Sequence, residues 1–352
     1  MKLDKIARLQ EGLKEEAMLF SMKDSLRYLT GRENLEGSLL IAREGIWFFT
    51  DFRYVEDAVR HLEAEVVDCK GRLKECILDV ARDCGIKALL FEKEIPYQRY
   101  ELYAGYFRHN GLEFRPGGSE LEDLRMIKSD SELKRIRKSA DINNRIFERI
   151  LQDVRPGVTE LELKLKLECY LRELGGHESS FDLMVLFGAN SSMPHGMSGD
   201  TRLEAGMPIL FDIGVRYRGY ASDMTRMAHM GPPSPEFREA YDFVRGVQEL
   251  ALELVKPGAG ARSVDEQVKA MLNSGGYNLE HSTGHGVGLE IHERPSLNSR
   301  SEDVLKPGMV ITIEPGIYLQ GRFGIRIEDL LIVGEESNEI LTTIDKDLFI
   351  IE

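Results

Sequence analysis

Residues 205–214 read AGMPILFDIG, and residues 307–316 read PGMVITIEPG. Gly206, Met207, Asp212 and Gly214 of the first stretch fall on Gly308, Met309, Glu314 and Gly316 of the second at one constant offset. Each stretch is a short apolar run ending on an acid and a glycine. Such a run, bounded by glycine, reads as a buried strand. The same strand is therefore expected twice.

The repeat extends outward. Val154-Arg155-Pro156-Gly157 recurs as Val255-Lys256-Pro257-Gly258. Behind each copy stands a capping-box spacing, Thr159 with Glu162 and Ser263 with Glu266. Each predicted helix stops at a double glycine, Gly175-Gly176 and Gly275-Gly276. A repeat of about 100 residues is a whole lobe rather than a solenoid unit. Two lobes predict one pseudo-symmetric domain whose strands face a shared cleft.

The acids lie in hairpin-like segments. In FDIGVRYRGYASD (211–223), Asp212 and Asp223 are equidistant from the point between Tyr217 and Arg218, within the turn-like Tyr217-Arg218-Gly219. In EPGIYLQGRFGIRIED (314–329), Glu314 and Glu328 flank Gln320-Gly321-Arg322 in the same way. Residues equidistant from a tight turn stand opposite each other on one face of the hairpin. Each lobe is thus expected to present one acidic pair. Four carboxylates converging on a cleft repel one another unless cations sit among them.

A fifth group comes from HSTGHGVGLEIHE (281–293), where His281, His285 and His292 lie on glycine-rich chain. One imidazole with four carboxylates is an oxygen-dominated set. It suits Mn²⁺, Co²⁺ or Fe²⁺, with Zn²⁺ also able to bind, better than a thiolate site does. Five ligands, two of them shared, fit a pair of metal ions.

The remainder is ordinary for a globular chain. The 352 residues suggest two domains. A net charge of -14, without a dense basic run, argues against nucleic acid and anionic membranes as partners. The N-terminal stretch lacks an apolar run of signal-peptide length, so a cytoplasmic protein is expected. Cys69, Cys76, Cys84 and Cys169 show no metal-site spacing and read as reduced thiols.

The first 120 residues read as a mixed α/β domain. SLLIAREGIWFFTD is expected to form a hairpin at Glu44-Gly45, KALLFE to form a buried strand, and Arg115-Pro116-Gly117-Gly118 to form a linker. Residues 121–352 form the second domain. It opens with a helix capped by Ser129 and Glu132, whose buried face carries Leu133, Ile136, Ala140, Phe147 and Ile150.

The segments NSSMPHG, FDIGVRYRGYASDMTR, HSTGHGVGLEIHE, ITIEPGIY and GIRIED together resemble the pita-bread metallopeptidases, in particular their Xaa-Pro peptidase branch. RYLTG and FTDFRYVEDA resemble the creatinase-like N-terminal α/β domain of that branch. The resemblance implies an α/β (α+β) pita-bread catalytic domain behind that smaller domain. It implies two divalent ions, with Mn²⁺ first, held by Asp212, Asp223, His285, Glu314 and Glu328. Asp223 and Glu328 would be shared, Asp212 would complete one shell, and His285 and Glu314 the other. A water held between the ions would become hydroxide near neutral pH and attack the carbonyl before proline in small peptides. Glu314 would carry the proton.

By the same resemblance, His195 and His292 would contact substrate and its tetrahedral intermediate. Arg326 would support Glu328, and His281 and Tyr318 would line the substrate pocket. A homodimer is implied too. Dipeptide-cleaving members often carry an arginine where HERPSLN has Ser296, a departure that tilts the expectation toward longer peptides. Methionine aminopeptidase, a creatinase-like hydrolase and a non-catalytic pita-bread binding protein remain as alternatives.

Overall fold

The computed structural model describes all residues, 1–352. It consists of two compact units, Met1–Leu124 and Arg125–Glu352.

The first unit is built on a six-stranded mixed sheet. Its strand order is Glu65–Asp68, Gly45–Thr50, Ser38–Ala42, Glu16–Phe20, Ala88–Phe91 and Glu113–Pro116. The apolar run of KALLFE supplies the fully buried strand Ala88–Phe91, which is parallel to both neighbours. The expected hairpin forms one residue earlier than read. Ala42 pairs with Gly45, leaving Arg43 and Glu44 as the turn.

The second unit contains the repeat. One lobe has a four-stranded sheet, ordered Phe349–Ile351, Met224–Met230, Pro208–Ile213 and Met184–Phe187. The other has a five-stranded sheet, ordered Glu293–Leu297, Gly284–Gly286, Val310–Ile313, Asp329–Ile332 and Glu339–Ile340. Helices Asp130–Ile150 and Glu160–Glu173 share a core with the first sheet. Helices Pro235–Leu254 and Ala261–Ser274 share one with the second.

The lobes repeat at the level of single hydrogen bonds. Gly157 N donates to Leu203 O at 2.8 Å, and Gly258 N to Leu305 O at 2.9 Å. Gly206 N donates to Met230 O at 2.7 Å, and Gly308 N to Val333 O at 2.9 Å. Gly157 and Gly258 hold φ of 83° and 88°. Only glycine takes that left-handed conformation without a Cβ penalty, which is why both Pro-Gly copies end as they do.

The helix signals are mostly realised. Ser129 and Glu132 form a capping box, as do Thr159 and Glu162. The five apolar residues expected on the face of helix Asp130–Ile150 are all buried. The Ser263–Glu266 expectation is corrected. Its helix starts earlier, at Ala261 behind Gly260, and Ser263 Oγ instead accepts from Gln267 Nε2 at 3.2 Å. No helix is long and apolar enough to cross a membrane.

Candidate metal centre

The two hairpins set the acids. In the second lobe the ladder Gly316–Leu319 against Phe323–Arg326 pairs Gly316 with Arg326. The ladder beyond it pairs Ile313 with Asp329. Both share one register, which puts Glu314 opposite Glu328, as equal distance from the turn requires.

The first lobe departs from the sequence reading. Tyr217 pairs with Tyr220, so the turn is the two residues Arg218-Gly219, with φ of 46° and 85°. Two positive φ angles are those of a tight primed turn. This register places Thr225, not Asp223, opposite Asp212. Asp223 lies two residues before Thr225. It therefore shares the face of Asp212 but sits diagonally from it.

The ligand atoms nonetheless gather. One ligand atom each of Asp223, His285 and Glu328 lie within 4.8 Å of one another, all in buried residues. His285 Nε2 stands 3.5 Å from Asp223 Oδ2 and 3.5 Å from Glu314 Oε1. His285 Nδ1 faces Gly286 O at 3.2 Å, so Nδ1 carries the hydrogen and Nε2 turns its lone pair to the acids. Burial, with His292 nearby, pushes the His285 pKa down to about 3, which keeps the ring neutral.

The carboxylates carry the mark of crowding. Burial and the neighbouring Glu328, Asp212 and Glu314 hold the Asp223 pKa well above the usual range. Burial and Glu314 and Asp212 do the same to Glu328. Burial, reinforced by Asp212 and opposed by Arg326, raises Glu314 to about 7. Glu328 Oε1 is buried without a hydrogen-bond partner. A buried carboxylate oxygen left alone costs about 1–3 kcal/mol or more. A divalent cation would satisfy it, and would meet the His285 lone pair and the crowded acids together. The donor set fits such an ion.

Arg326 organises the surrounding shell. Its Nη2 donates to Asp212 Oδ2 at 2.5 Å, its Nε to Thr225 Oγ1 at 3.0 Å, and its Nη1 to the Tyr318 hydroxyl at 2.8 Å. The Tyr318 hydroxyl in turn meets His281 Nε2 at 2.9 Å, and His281 Nδ1 faces Ser282 O at 2.8 Å. The carbonyl fixes the hydrogen on Nδ1, so Tyr318 donates to Nε2. Burial keeps His281 neutral, lowering its pKa to about 4.

Threonines complete the shell. Thr225 Oγ1 donates to Glu328 Oε2 at 2.8 Å, and Thr312 Oγ1 accepts from His285 N at 3.1 Å. Behind them Arg226 and Asp329, both without exposed side-chain surface, pair at 2.6 Å. Arg226 Nη1 also holds the carbonyl of Glu328 at 2.6 Å. Sequence reading missed Thr225, Thr312 and Arg226. The available signal was the i, i+2 spacing of Thr225 from Asp223 and of Thr312 from Glu314, which puts each pair on one strand face.

The histidines outside the acid cluster stand at its border. The His292 ring lies 4.3 Å from that of His285, centroid to centroid. Desolvation lowers the His292 pKa, and His195 contributes to that shift. His195 is exposed, on the loop between Phe187 and Gly199. Arg294 pairs with Asp303, and Ser296 stands opposite His285 on the neighbouring strand.

Two lobes with matching hairpins, converging carboxylates and one imidazole define a metal-dependent hydrolase. A sequence profile of Metallopeptidase family M24 matches residues 134–335, and one of the Creatinase/Prolidase N-terminal domain matches residues 2–127. The chain belongs to metallopeptidase family M24. It is 32% identical to the Xaa-Pro dipeptidase of Pyrococcus horikoshii, over 99% of this chain and 98% of that one. Among solved structures it is similar to an Xaa-Pro dipeptidase from Bacillus anthracis, with a TM-score of 0.94 and 38% identity over 99% of each chain. It is also similar to an X-Pro aminopeptidase from Thermotoga maritima, with a TM-score of 0.89 and 32% identity over 98% of this chain and 100% of that one.

Proposed function

We propose that this metallopeptidase hydrolyses the bond between an N-terminal residue and a following proline in small peptides. The observation that carries the reading is the gathering of Asp223, His285 and Glu328, with Glu328 Oε1 buried and unpartnered, in a chain whose full-length relatives include enzymes named for that bond.

Asp212, Asp223, His285, Glu314 and Glu328 would hold two divalent ions, Mn²⁺ by preference. When bound, these would acidify a water and polarise the scissile carbonyl. The chain's own residues do the rest. Glu314, whose Oε1 stands 3.5 Å from His285 Nε2, takes a proton at its carboxylate and passes it to the leaving nitrogen. Arg326 keeps Asp212 aimed at the centre through a direct ion pair. His292 and His195 donate to the carbonyl oxygen as it gains charge. His281 is held by Tyr318 and kept neutral by burial, which suits its ring to lie against a proline ring.

Proline selectivity has a physical basis. The Xaa-Pro nitrogen has no hydrogen and the ring fixes the chain, so a site shaped to the ring accepts what an N–H-binding peptidase rejects. The pairing of Arg294 with Asp303, together with Ser296 where an arginine could have held a dipeptide carboxylate, supports acceptance of peptides longer than two residues. The working form is proposed as a cytoplasmic homodimer.

Hydrolysis of Ala-Pro, Ala-Pro-Ala, Ala-Ala-Ala and Met-Ala-Ser, each with Mn²⁺ and with a chelator, tests the proposal. Chelator-sensitive cleavage confined to the two proline peptides is expected, with Ala-Pro-Ala preferred. Cleavage of Met-Ala-Ser alone would mean a methionine aminopeptidase. No cleavage by the metal-loaded protein would mean that the substrate class is wrong, and failure to bind any divalent ion would favour a non-catalytic binding module.

A further inference from the structure

The loop that carries His195 leaves the strand Met184–Phe187 and returns to the body of the lobe at Gly199. Its first half is pinned to the hairpin that bears Tyr318 and Arg326. Gly324 N donates to Ser191 Oγ at 2.8 Å, and Gly321 N to Ser192 Oγ at 3.2 Å. The fit there is close enough that a Cβ on Gly324 would stand 2.0 Å from Ser191 O. Its second half, with His195, has much less. Gly196 N donates to Met193 O within the loop, and Ser198 Oγ accepts from Val185 N. The position of His195 therefore depends on how the loop is closed.

One carboxylate closes it. Glu160 is the first residue of helix Glu160–Glu173 and is fully buried, at 0% exposure. Its Oε1 accepts from Phe187 N at 2.7 Å and from Asn190 Nδ2 at 2.9 Å, on the entering side. Its Oε2 accepts from Gly199 N at 2.9 Å, on the leaving side. The backbone adds Glu160 N to Thr201 O at 3.2 Å and Leu161 N to Gly199 O at 3.0 Å. The helix N-terminus favours the negative charge. A fully buried acid taking N–H donors from both ends of one loop uses its two oxygens as the two sides of a clamp.

We propose that Glu160 is a positioning residue for peptide hydrolysis, closing the neck of the 188–199 loop so that His195 is presented to substrate. The inference rests on the reading of His195 as a substrate contact. Glutamate is the residue type the clamp needs. A glutamine of the same shape has one acceptor oxygen and one NH₂ donor, so either Phe187 and Asn190 or Gly199 would face a donor instead of an acceptor.

The test is a double-mutant cycle on the Mn²⁺-loaded protein, comparing wild type, Glu160→Gln, His195→Ala and the double variant with Ala-Pro-Ala. Amide hydrogen exchange is followed on the same four proteins. Glu160→Gln should lower kcat/KM about 10- to 100-fold, the usual cost of misplacing a group by an ångström. In the His195→Ala background the same change should cost almost nothing, because the two residues act as one unit. Exchange should quicken in residues 188–199 and stay unchanged in Pro208–Ile213 and Val310–Ile313. An equal fold-loss in both backgrounds would overturn the proposal, as would unaltered exchange in the loop. If Glu160→Gln does not fold, Asn190→Ala removes one donor from Oε1 and should give a smaller loss with the same non-additivity. If wild type cleaves no peptide, the functional reading fails on its own, and the exchange result still decides whether Glu160 closes the loop.

Discussion

Thr225 stands directly opposite Asp212 across the ladder between Pro208–Ile213 and Met224–Met230, and its hydroxyl joins Arg326 to Glu328. In the second lobe, Glu328 itself occupies the corresponding place opposite Glu314. The two lobes therefore differ at equivalent positions, with a threonine in one supporting the carboxylate of the other.

Thr225→Val tests that support. Valine keeps the shape but leaves Arg326 Nε without its acceptor and Glu328 Oε2 without its donor. Affinity for Mn²⁺, measured by titration calorimetry, should fall about 10- to 100-fold while the fold is retained. Unchanged affinity would show that Glu328 needs no orientation from behind.

Glu314 makes stability depend on pH in the metal-free protein. Its folded pKa, raised chiefly by burial to about 7, exceeds its unfolded value. A carboxyl with a raised folded pKa costs nothing at low pH, where both states hold the proton. The penalty grows as the unfolded state ionises first, and is complete above the folded pKa. Glu314→Gln removes it. The chelated variant should match wild type near about pH 3, below the unfolded pKa, and exceed its stability by up to about 3 kcal/mol near about pH 8. Urea unfolding at the two pH values measures the difference, and an equal gap at both would contradict the assignment.

Arg326→Ala removes the guanidinium from Asp212, Thr225 and Tyr318 at once. Breaking a buried ion pair from one side costs about 3–5 kcal/mol, because the partner charge stays behind. The chelated variant should lose that much in urea unfolding, and a loss under about 1 kcal/mol would mean that Asp212 finds other compensation.

Asp329→Ala and Asp242→Ala separate buried from exposed pairing. Asp329 meets Arg226 with neither side chain exposed, whereas Asp242 and Arg238 are 40% and 45% exposed. The first substitution should cost about 3–5 kcal/mol and the second about 0.3–0.5. Similar losses would remove the distinction on which the supporting role of Arg226 rests.

Much of the architecture was legible because it was written twice. The repeated strand and the Pro-Gly turns announced two lobes, and Gly157 and Gly258 hold the positive φ that those turns need. The Glu314–Glu328 pairing followed from the three-residue turn Gln320-Gly321-Arg322. The Asp212–Asp223 pairing did not, because Arg218 adopts the left-handed region that sequence assigns by default to glycine or asparagine. The turn centre thereby falls one residue later than read, which moves the partner of Asp212 by two residues, from Asp223 to Thr225, and makes the expected facing pair diagonal. The roles of Thr225 and Glu160 were not legible, since each depends on partners far along the chain: Glu328 for the first, Phe187 and Gly199 for the second.

The most direct test titrates Mn²⁺ into metal-depleted protein and into its Asp223→Asn variant, following hydrolysis of Ala-Pro-Ala against metal bound. The account predicts that wild-type hydrolysis rises with occupancy, and that the variant binds metal poorly and stays inactive. Hydrolysis by the metal-depleted protein, or full activity in the variant, would contradict it.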